Sequence, residues 1–561
     1  MRRIVLTIGL SLVVPIPAAA GLHRDITIQN QQDFDALQEK VEAAVNAGVE
    51  DITVRLAPGT FYFSHDHLKI YGKDWNKISL TLFGSGSVLT AAGTDCLDQD
   101  PWTDPFGPEL MFLGPDRCLE RFGPAVRSPG LVKIENADQK LCRIRAPQRM
   151  EFPDASCEEA FILLSRWYES RIYRVTQIRN GWVYFIADDL ERVSPLGYNV
   201  NYDFLYGQKM PRFRLFNAGD DPQAVSCSDG KIHLPGSDGP VHVCTATTFL
   251  NIHNSRIKSL CLSGLEFRGN ADTEGRHLIG VYHCRCQRLL VKGCRFSDIN
   301  SSLFTAEYTD HVEFEGNTFQ DCHKHVLSTA ATCREARFLD NCFLECGGEW
   351  GPWACIIACG DGYRISGNQF RNFGYVGILV GGTESRLVEK EPGGIIEHNT
   401  LWYEPAFLAD TLTHTMMDSG AIYVGICNDR ATVRHNYIHD IGGVKDNRGI
   451  FCDDGARNFD IYDNVILNIA NSYSIDSRRV PEVEGRRILQ NVGNSIHDNL
   501  VNAPIRFEGN EAGDRCNLGT NYLLRDTDGS YPEMQVKNIS RRKAQKKITS
   551  IQGTSWETTV R

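Results

Sequence analysis

Basic residues are not in excess in this sequence. It carries 59 Lys and Arg residues against 70 Asp and Glu residues, which gives a formal net charge of −11. Proteins that bind nucleic acid neutralise its phosphates with a basic patch or stripe. We therefore expect no nucleic acid partner.

Long apolar runs are also missing after the first twenty residues. Residues 1–20 contain Arg2 and Arg3, an apolar stretch over 4–14 and small residues before Gly21. This pattern predicts a cleaved secretory signal peptide, and its apolar part is too short to span a bilayer. A buried amino-terminal strand is the alternative. We expect a protein exported to the periplasm or the extracellular space, with no membrane insertion.

Paired Cys-x-x-Cys motifs are absent, although the chain has 19 cysteines. Many of them lie within apolar strand patterns, where a free cysteine behaves as a small apolar side chain. Zinc is the alternative for Cys284 with Cys286 and for Cys355 with Cys359, but neither pair has the spacing of a structural site. We expect core cysteines and no metal or other cofactor.

A repeat begins near residue 259. Its segments, such as VEFEGNTFQDCH and ATVRHNYIHDIG, align on a central position that is asparagine in most copies. The aligned residues are 22 to 37 positions apart and are Leu265, Cys294, Asn317, Asn341, Asn368, Asn399, Asn436, Asn464, Asn499 and Asn521. Repeats of this length predict one structural unit stacked on the next.

Two apolar columns accompany the repeat. Three positions before the aligned residue stand Leu262, Val291, Phe314, Phe338, Ile365, Ile396, Val433, Ile461, Ile496 and Leu518. Two positions after it stand Phe267, Phe296, Phe319, Phe343, Phe370, Leu401, Ile438, Ile466, Val501 and Leu523. Such columns predict inward ladders at a strand spacing of about 4.8 Å. The chain is therefore predicted to be all-β, a parallel β-helix, and we expect a monomer. The central asparagine should suit a left-handed or bridging backbone conformation and bond to its neighbours.

The amino-terminal part of the mature chain should cover the open end of this solenoid, because an exposed apolar coil aggregates. Residues 33–48 predict an amphipathic helix with Asp33 as its N-cap and Gly48 at its end. Further along, the repeat fails where Asn-Gly and Asp-Gly turns predict hairpins. The predicted organisation is a signal peptide over 1–20, the cap and first coils over 21–100, an inserted β-rich module over 101–245, the β-helix over 246–530 and a basic tail over 531–561.

Two adjacent acids, Asp453 and Asp454, end a short apolar strand in the segment GIFCDDGARN. Strand alternation places Asp453 on the outer face, two residues after Phe451. Its counterparts in the other coils are mostly small and are predicted to be His283, Ala306, Ala330, Cys359, Gly381 and Gly425. We predict a shallow trough on this face that could bind an extended ligand.

Three long coils place loops beside this trough, where binding sites commonly lie. The loops cover about 383–393, 405–418 and 471–493. The residues predicted to bind substrate in these loops, in the nearby segment GGEWGPW and on adjacent strands are Glu384, His414, Arg478, Trp350, Trp353, Tyr423 and Arg448. For the two tryptophans, packing between loops is an equal alternative to stacking on a sugar.

The order of the segments resembles that of the secreted parallel β-helix glycoside hydrolases, especially glycoside hydrolase family 141 and more loosely family 120. The segments that carry the resemblance are GTFYF, DGKIHLP, LSGLEF, DSGAIYVG, HNYIHDIG and GIFCDDG, and it covers nearly all of the mature chain. The resemblance implies a right-handed helix and the hydrolysis of plant polysaccharides, including xylans and fucosylated pectins. It also implies paired catalytic acids at Asp418 and at Asp453 or Asp454.

Glycoside hydrolysis uses one protonated acid and one ionised carboxylate. Two adjacent carboxyl groups resist simultaneous ionisation, so one can stay protonated near neutral pH. We predict Asp453 as the catalytic carboxylate, Asp454 as a second acid or a turn-former, and Asp418 as the partner. The alternatives are a simple Asp-Gly turn with solvated carboxylates for the pair and a strand cap for Asp418.

A straight strand would separate Asp418 from Asp453 by about 20 Å. The loop before Ile422 must therefore fold back across the face, or else Glu384 or Asp361 is the partner. Two other functions stay open. One is a polysaccharide lyase that uses a Lys, Arg or Tyr base, with Arg448, Arg478 and Arg479 as candidates, and the other is a non-catalytic carbohydrate-binding solenoid.

Overall fold

The structure is a computed structural model. It describes residues 22–72, 75–93, 246–271, 276–347, 353–381, 393–409, 419–425, 431–441, 447–453, 455–470, 472–477, 491, 493–507, 517–524 and 536–539, together with the strands between 110 and 244. The predicted signal peptide lies outside the described residues. Among the described residues, no helix has both the length and the apolar character needed to cross a membrane.

Three long parallel sheets wind around one core, and a typical coil contributes one strand to each. Sheet A contains His23–Ile28, Asp51–Leu56, Ser79–Gly84, Arg256–Ser263, Arg285–Lys292, Val312–Glu315, Ala336–Leu339, Arg364–Ser366, Ile395–Glu397, Thr432–Arg434, Asp460–Tyr462, Ser495–His497 and Asn517–Leu518. Sheet B contains Gly59–Tyr62, Ser87–Thr90, Glu266–Asn270, Arg295–Ile299, Thr318–Cys322, Cys342–Leu344, Gln369–Arg371, Thr400–Trp402, Tyr437–His439, Val465–Leu467, Leu500–Val501, Asn521–Leu524 and Val536–Ile539. Sheet C contains Leu68–Tyr71, Leu250–His253, His277–Tyr282, Ser302–Ala306, Leu327–Thr329, Ala354–Ala358, Val376–Val380, Ser419–Gly425, Asn447–Asp453, Ile475–Ser477 and Ile505–Phe507. Because crossovers between parallel strands are right-handed, the fold is a right-handed parallel β-helix, and the predicted fold class is confirmed.

The two predicted apolar columns form the core. Phe267, Phe296, Phe319, Phe343 and Phe370 stack in sequence, with ring centroids 5.0, 5.1, 4.8 and 4.6 Å apart. All five are fully buried. Stacking at the strand spacing lets each ring bury its faces against its neighbours, which stabilises the ladder beyond simple burial.

The aligned asparagines form a second, polar ladder at the corner between sheets A and B. The backbone amide and the Nδ2 of Asn399 both donate to Oδ1 of Asn436, at 3.1 and 3.0 Å, and Nδ2 also donates to the carbonyl of Ile365 at 2.9 Å. The same bonds recur from Asn317 to Asn521. Buried amides are therefore satisfied by their counterparts one coil away.

The left-handed conformation, one of the two offered for these asparagines, was wrong by one position. The left-handed residue is the one before the asparagine, for example Gly316, Asp340, His398 and His435, with φ of 63°, 53°, 57° and 54°. That residue makes the sharp corner, and the asparagine after it directs its amide into the ladder.

The amino-terminal cap is formed by two short helices rather than one. Helix α1 spans Gln31–Asp35 and helix α2 spans Leu37–Asn46. The predicted N-cap Asp33 was wrong, because Oδ1 of Asn30 accepts the Asp33 amide at 2.9 Å. The side chains of Phe34, Leu37, Val41 and Ala44 are buried in the core at this end. The strand His23–Ile28, which pairs with Asp51–Leu56, was not predicted. A third short helix, α3, spans Pro405–Ala409.

Antiparallel strands occupy the part of the chain between the first coils of the solenoid and the remaining coils. They are Ala92–Gly93, Leu110–Leu113, Cys118–Phe122, Val132–Lys133, Asn136–Asp138, Arg143–Arg145, Ala155–Ser156, Phe161–Ser165, Ser170–Arg179, Trp182–Phe185, Arg212–Phe216, Ser226–Ser228, Lys231–His233 and His242–Cys244. The predicted hairpins are present, since Arg179 pairs with Trp182 and Ser228 pairs with Lys231. The exact domain boundaries stay a prediction.

The described cysteines are free thiols, and most of them lie in the core. Cys322 pairs with Ile299 and occupies the same inward position one coil later, as the repeat predicts. Burial raises the pKa of Cys284 to about 11 and that of Cys286 to about 12. These thiols therefore stay protonated at neutral pH and act as apolar side chains.

Candidate functional site

Asp453 lies on the outer face of sheet C. Val424 and Cys452 pair with each other and are fully buried in the core. The next residues, Gly425 and Asp453, also pair, and alternation along the strands turns them to the opposite face. The side chain of Asp453 therefore points away from the core.

A row of small residues leads along the sheet to Asp453. The amide of Cys359 donates to the carbonyl of Thr329, and the amide of Gly381 donates to that of Ala358. These bonds align Ala330, Cys359, Gly381, Gly425 and Asp453 across consecutive strands. Beside this row stand the side chains of Ser328, Ile357, Leu379 and Tyr423, which are half-buried. We call these two rows the sheet C trough.

Two predicted members of the row were wrong. Ala306 pairs with Val281 inside the core, and the outward positions in those coils belong to Glu307 and Tyr282 rather than to His283. The error arises because the connections from sheet C to sheet A differ in length by one residue between coils, so counting back from the asparagine misplaces the strand.

Tyr423 holds the carboxylate of Asp453. Its hydroxyl donates to Oδ2 of Asp453 at 2.8 Å. Its ring lies over Gly425, where an added Cβ would be 2.7 Å from Cε1 of the tyrosine. Phe451 contacts the same ring edge-on, at a centroid distance of 4.9 Å. Tyr423 was predicted to bind substrate, which stays a prediction, and in the structure its hydroxyl is bonded to Asp453.

Asp453, Gly455 and Ala456 take part in a turn directly after the strand. The amide of Ala456 donates to the carbonyl of Asp453 at 3.1 Å, and Gly455 has a φ of 91°. Asn491 fixes this turn, because its Oδ1 accepts the Gly455 amide at 3.1 Å and its Nδ2 donates to the Cys452 carbonyl at 2.9 Å. The alternative of solvated carboxylates does not hold for Asp453, which is only 3% exposed. Asp454 lies outside the described residues.

A buried ionic cluster lies beside Phe451 and was not predicted. Asp476 accepts from Nε of Arg448 and from Nε of Arg506, both at 2.7 Å, and is fully buried. The guanidinium of Arg448 stacks over the ring of Phe451 at 3.9 Å. Asp476 pairs with Phe451, so it is a diagonal neighbour of Asp453, about 8 Å away between Cα atoms.

Arg448 was predicted to bind substrate, and its position is against that role. It is fully buried, and its guanidinium contacts Asp476 and Phe451. Alternation along the strand, with Ile475 facing the core and Asp476 facing outward, could have been predicted from the sequence. The contacts of Asp476 with arginines of other coils could not, because loops of different length separate the coils.

Other predicted residues lie apart from Asp453 or outside the described residues. Trp353 precedes the strand Ala354–Ala358, which is three strands from that of Asp453 in sheet C. Its ring contacts that of His325 edge-on, at a centroid distance of 4.9 Å. Asp361, in the same coil, is at least about 14 Å from Asp453 by strand spacing. The predicted residues outside the described part of the chain are Asp418, Asp454, Glu384, His414, Trp350, Arg478 and Arg479.

Ser419 begins the strand that pairs with the strand ending at Asp453, and it pairs with Asn447, six residues before Asp453. Six residues of strand measure about 20 Å, so Ser419 lies at the far end of the strand from Asp453. Asp418 itself lies outside the described residues.

One group of possible metal ligands exists among the described residues, and it is not in the trough. Glu397, His398 and His435 offer ligand atoms within 4.8 Å of one another at the corner of sheet A. Both oxygens of Glu397 already bind guanidinium groups, from Arg364 at 2.7 Å and from Arg434 at 2.9 Å. Two cations on the only carboxylate disfavour a third, so these residues do not fit a metal site well.

Comparison with known proteins identifies similar folds. Residues 241–400 match the family model described as the right handed beta helix region. The structure described as the complex of XylC with xylose is 10% identical, with a TM-score of 0.44 and coverage of 92% of this chain and 86% of that chain. The Azotobacter vinelandii mannuronan C-5 epimerase AlgE6 A-module is 12% identical, with a TM-score of 0.32 and coverage of 91% and 95%. The Gp54 tailspike of Acinetobacter baumannii bacteriophage AP22, in complex with capsular saccharide, is 9% identical, with a TM-score of 0.19 and coverage of 90% and 76%. No curated protein sequence matches the chain significantly. Identities this low carry no residue's role over to this chain.

Proposed function

We propose that the protein is an exported glycoside hydrolase that acts on plant cell-wall polysaccharide or oligosaccharide, with Asp453 as a catalytic carboxylate. The observation that carries this proposal is the position of Asp453. Its side chain faces the sheet C trough, is almost completely buried and is held by the Tyr423 hydroxyl at 2.8 Å. A carboxyl group held on a rigid strand at the end of a groove suits proton transfer or nucleophilic attack on a bound sugar.

A second acid must complete the reaction. Asp454 is the best candidate, because it is adjacent to Asp453 in the sequence and two adjacent carboxyl groups resist simultaneous ionisation. Asp418 is the alternative that the family resemblance implies, but the strand beside it starts about 20 Å away. One acid would protonate the leaving oxygen, and the other would act as nucleophile or activate water. Asp476 is not set up for a direct role, since both of its carboxylate oxygens accept hydrogen bonds from arginines.

The trough offers surface on which a sugar chain could lie. Ile357 and Leu379 are half-buried beside the row of small residues and offer apolar contact for the carbon faces of sugars. Tyr375 and Tyr423 lie beside these two side chains. Such a surface binds amphipathic rings along one direction.

A lyase has less support than a hydrolase. Abstraction of a proton from a uronic acid needs a base and a cation that neutralises the substrate carboxylate. Arg448, the described candidate for either role, is fully buried and binds Asp476. The hydroxyl of Tyr423 donates to a carboxylate, so it is not set up as a base.

The test is the release of reducing sugar from a panel of xylans, pectins and fucosylated glycans. We expect the wild type to act on at least one of them and Asp453→Asn to lose about a thousandfold or more of the rate. Asp454→Asn and Asp418→Asn identify the second acid, as the variant with a comparable loss. A product that absorbs in the ultraviolet would show a lyase instead. Full activity of Asp453→Asn would overturn the proposal.

A further inference from the structure

Three ring side chains stand in a row on the outer face of sheet C, at the amino-terminal end of the solenoid. Tyr71 pairs with His253, and His253 pairs with Tyr282. The rings of Tyr71 and His253 are nearly parallel, 8° apart, with centroids 6.1 Å apart, and the ring of Tyr282 follows at 6.4 Å. The residues before them, Ile70, Ile252 and Val281, are fully buried. The row, which we call the aromatic platform, therefore faces outward.

The ring of Tyr282 covers Gly280. A Cβ added at Gly280 would be 2.2 Å from Cε2 of this tyrosine. Its hydroxyl bonds to Nδ1 of His277 at 2.5 Å, which fixes the ring at its far end. A ring fixed in this way loses little side-chain freedom when a ligand stacks on it.

Tyr71 is the most exposed large apolar residue of the described chain, at 67%. It also lines a cavity of about 630 Å³ between helix α2 and the first strand of sheet C. Trp75, Gln38 and Lys69 line the same cavity. Gln38 closes the edge of that strand, because it donates to the Lys69 carbonyl at 3.0 Å and accepts the Lys69 amide at 2.8 Å. Tyr71 therefore belongs to both the cavity and the platform.

The charges around this surface are mainly negative. Asp35, Glu42 and Asp66 line the cavity, and Glu307 occupies the next outward position after Tyr282. Against them stand Lys69 and Arg276, which pair with Asp66 at 3.4 and 3.6 Å. A polyuronate would meet net repulsion here, whereas a neutral sugar chain would not.

We propose that the aromatic platform is a second carbohydrate-binding site, which takes a neutral polysaccharide chain through stacking on Tyr71 and Tyr282. Aromatic faces bind the apolar faces of sugar rings, and their planar rings lose little entropy. Tyr282 lies six strands from Asp453 along sheet C, a distance of about 29 Å. A chain bound on the platform is thereby directed along the face that ends at the trough. The choice of carbohydrate as the ligand rests on the proposed function, but binding at the platform does not require turnover.

The test is affinity electrophoresis in gels that contain one neutral glycan each, namely xylan, mixed-linkage glucan, galactan or arabinan, with polygalacturonate as the charged probe. We expect Tyr71→Ala and Tyr282→Ala to raise the dissociation constant for at least one neutral glycan about five- to tenfold. Tyr282→Phe keeps the ring and should bind within twofold of wild type. Tyr62→Ala, at an exposed tyrosine on sheet B, is the control and should not change binding.

The proposal fails if no neutral glycan is retarded in a way that depends on both tyrosines, if Tyr282→Phe loses as much affinity as Tyr282→Ala, or if polygalacturonate binds more tightly than every neutral glycan. The proposed hydrolase activity is separable from this result. Binding that depends on the platform without release of sugar from any glycan would overturn the activity and leave the platform standing. Turnover of short oligosaccharides by Tyr71→Ala at the wild-type rate would support two separate sites.

Discussion

At the scale of single residues, the contact between Tyr423 and Asp453 fixes the proposed catalytic carboxylate. The tyrosine can reach the acid only because position 425 has no side chain, as the ring fills that space. The sequence suggests small residues in this row, but it does not reveal the ring placement. The side-chain rotamer of Tyr423 depends on Phe451 and Tyr375 in neighbouring coils, which the sequence alone does not bring together.

Gly425→Ala tests this placement. The new Cβ would lie 2.7 Å from Cε1 of Tyr423, so the ring must move and the bond to Asp453 must break. We expect kcat on the best glycan to fall roughly 10- to 100-fold, with little change in KM.

The matched variant is Tyr423→Phe, which removes the hydroxyl without displacing the ring. It should lose activity to a similar extent as Gly425→Ala. Wild-type kcat in both variants would mean that the hydroxyl does not position the acid.

Two histidines near the starts of sheet C strands make stability depend on pH: His277 begins the strand His277–Tyr282, and His325 lies two residues before the strand Leu327–Thr329. Burial lowers the pKa of His277 and of His325, each to about 4, and the two lie close enough to repel each other when charged. Unfolded, each would titrate near its ordinary pKa of about 6.5. Between these values the unfolded chain binds more protons, so the free energy of unfolding falls as the pH drops from about 6.5 to 4.

His325→Gln should flatten this dependence. The glutamine can still accept the Ala354 amide that Nδ1 of His325 accepts at 3.1 Å, but it does not titrate. Urea unfolding at pH 7 and pH 4.5 measures the effect, which is at most about 3 kcal/mol for one histidine. An equal loss of stability with pH in wild type and variant would contradict the assignment.

At the scale of secondary-structure elements, the repeat made the core predictable and left the corners uncertain. The inward columns of sheets A and B were predictable because apolar residues recur at fixed offsets from the asparagine. The left-handed residue before it was missed, since Gly, Asp and His all occupy that position. Asp453 could likewise be placed on the outer face. Ala306 and His283 were wrongly assigned to the same row, because the loops that follow their strands differ in length from the loop after Asp453.

The asparagine ladder should be the most sensitive polar element of the fold. Asn399 donates to Asn436 and Ile365 and accepts from the backbone amide and Nδ2 of Asn368. Asn399→Ala would leave several buried groups without partners, at a cost of about 2 to 4 kcal/mol in the free energy of unfolding.

Asn502→Ala is the control, because its side-chain bonds with Asn468 are exposed. It should cost less than about 1 kcal/mol. Equal urea midpoints for the two variants would show that the ladder is not a main source of stability.

At the scale of the whole molecule, the solenoid converts a sequence repeat into one long face. Its strands place the aromatic platform, the trough and Asp453 along a single direction of sheet C. The ionic cluster of Asp476 with Arg448 and Arg506 stiffens the strands on the far side of Asp453, and it joins three coils that are 28 and 30 residues apart in sequence. A rigid wall of this kind suits the binding of a chain that is itself extended.

The most direct test of the account compares turnover and binding of the same glycan by the wild type and Asp453→Asn. We predict that the substitution lowers turnover about a thousandfold or more and leaves the dissociation constant within about threefold, because the sheet C trough remains intact. Turnover within tenfold of wild type, or a loss of binding that matches the loss of rate, would contradict the claim that Asp453 performs the chemistry.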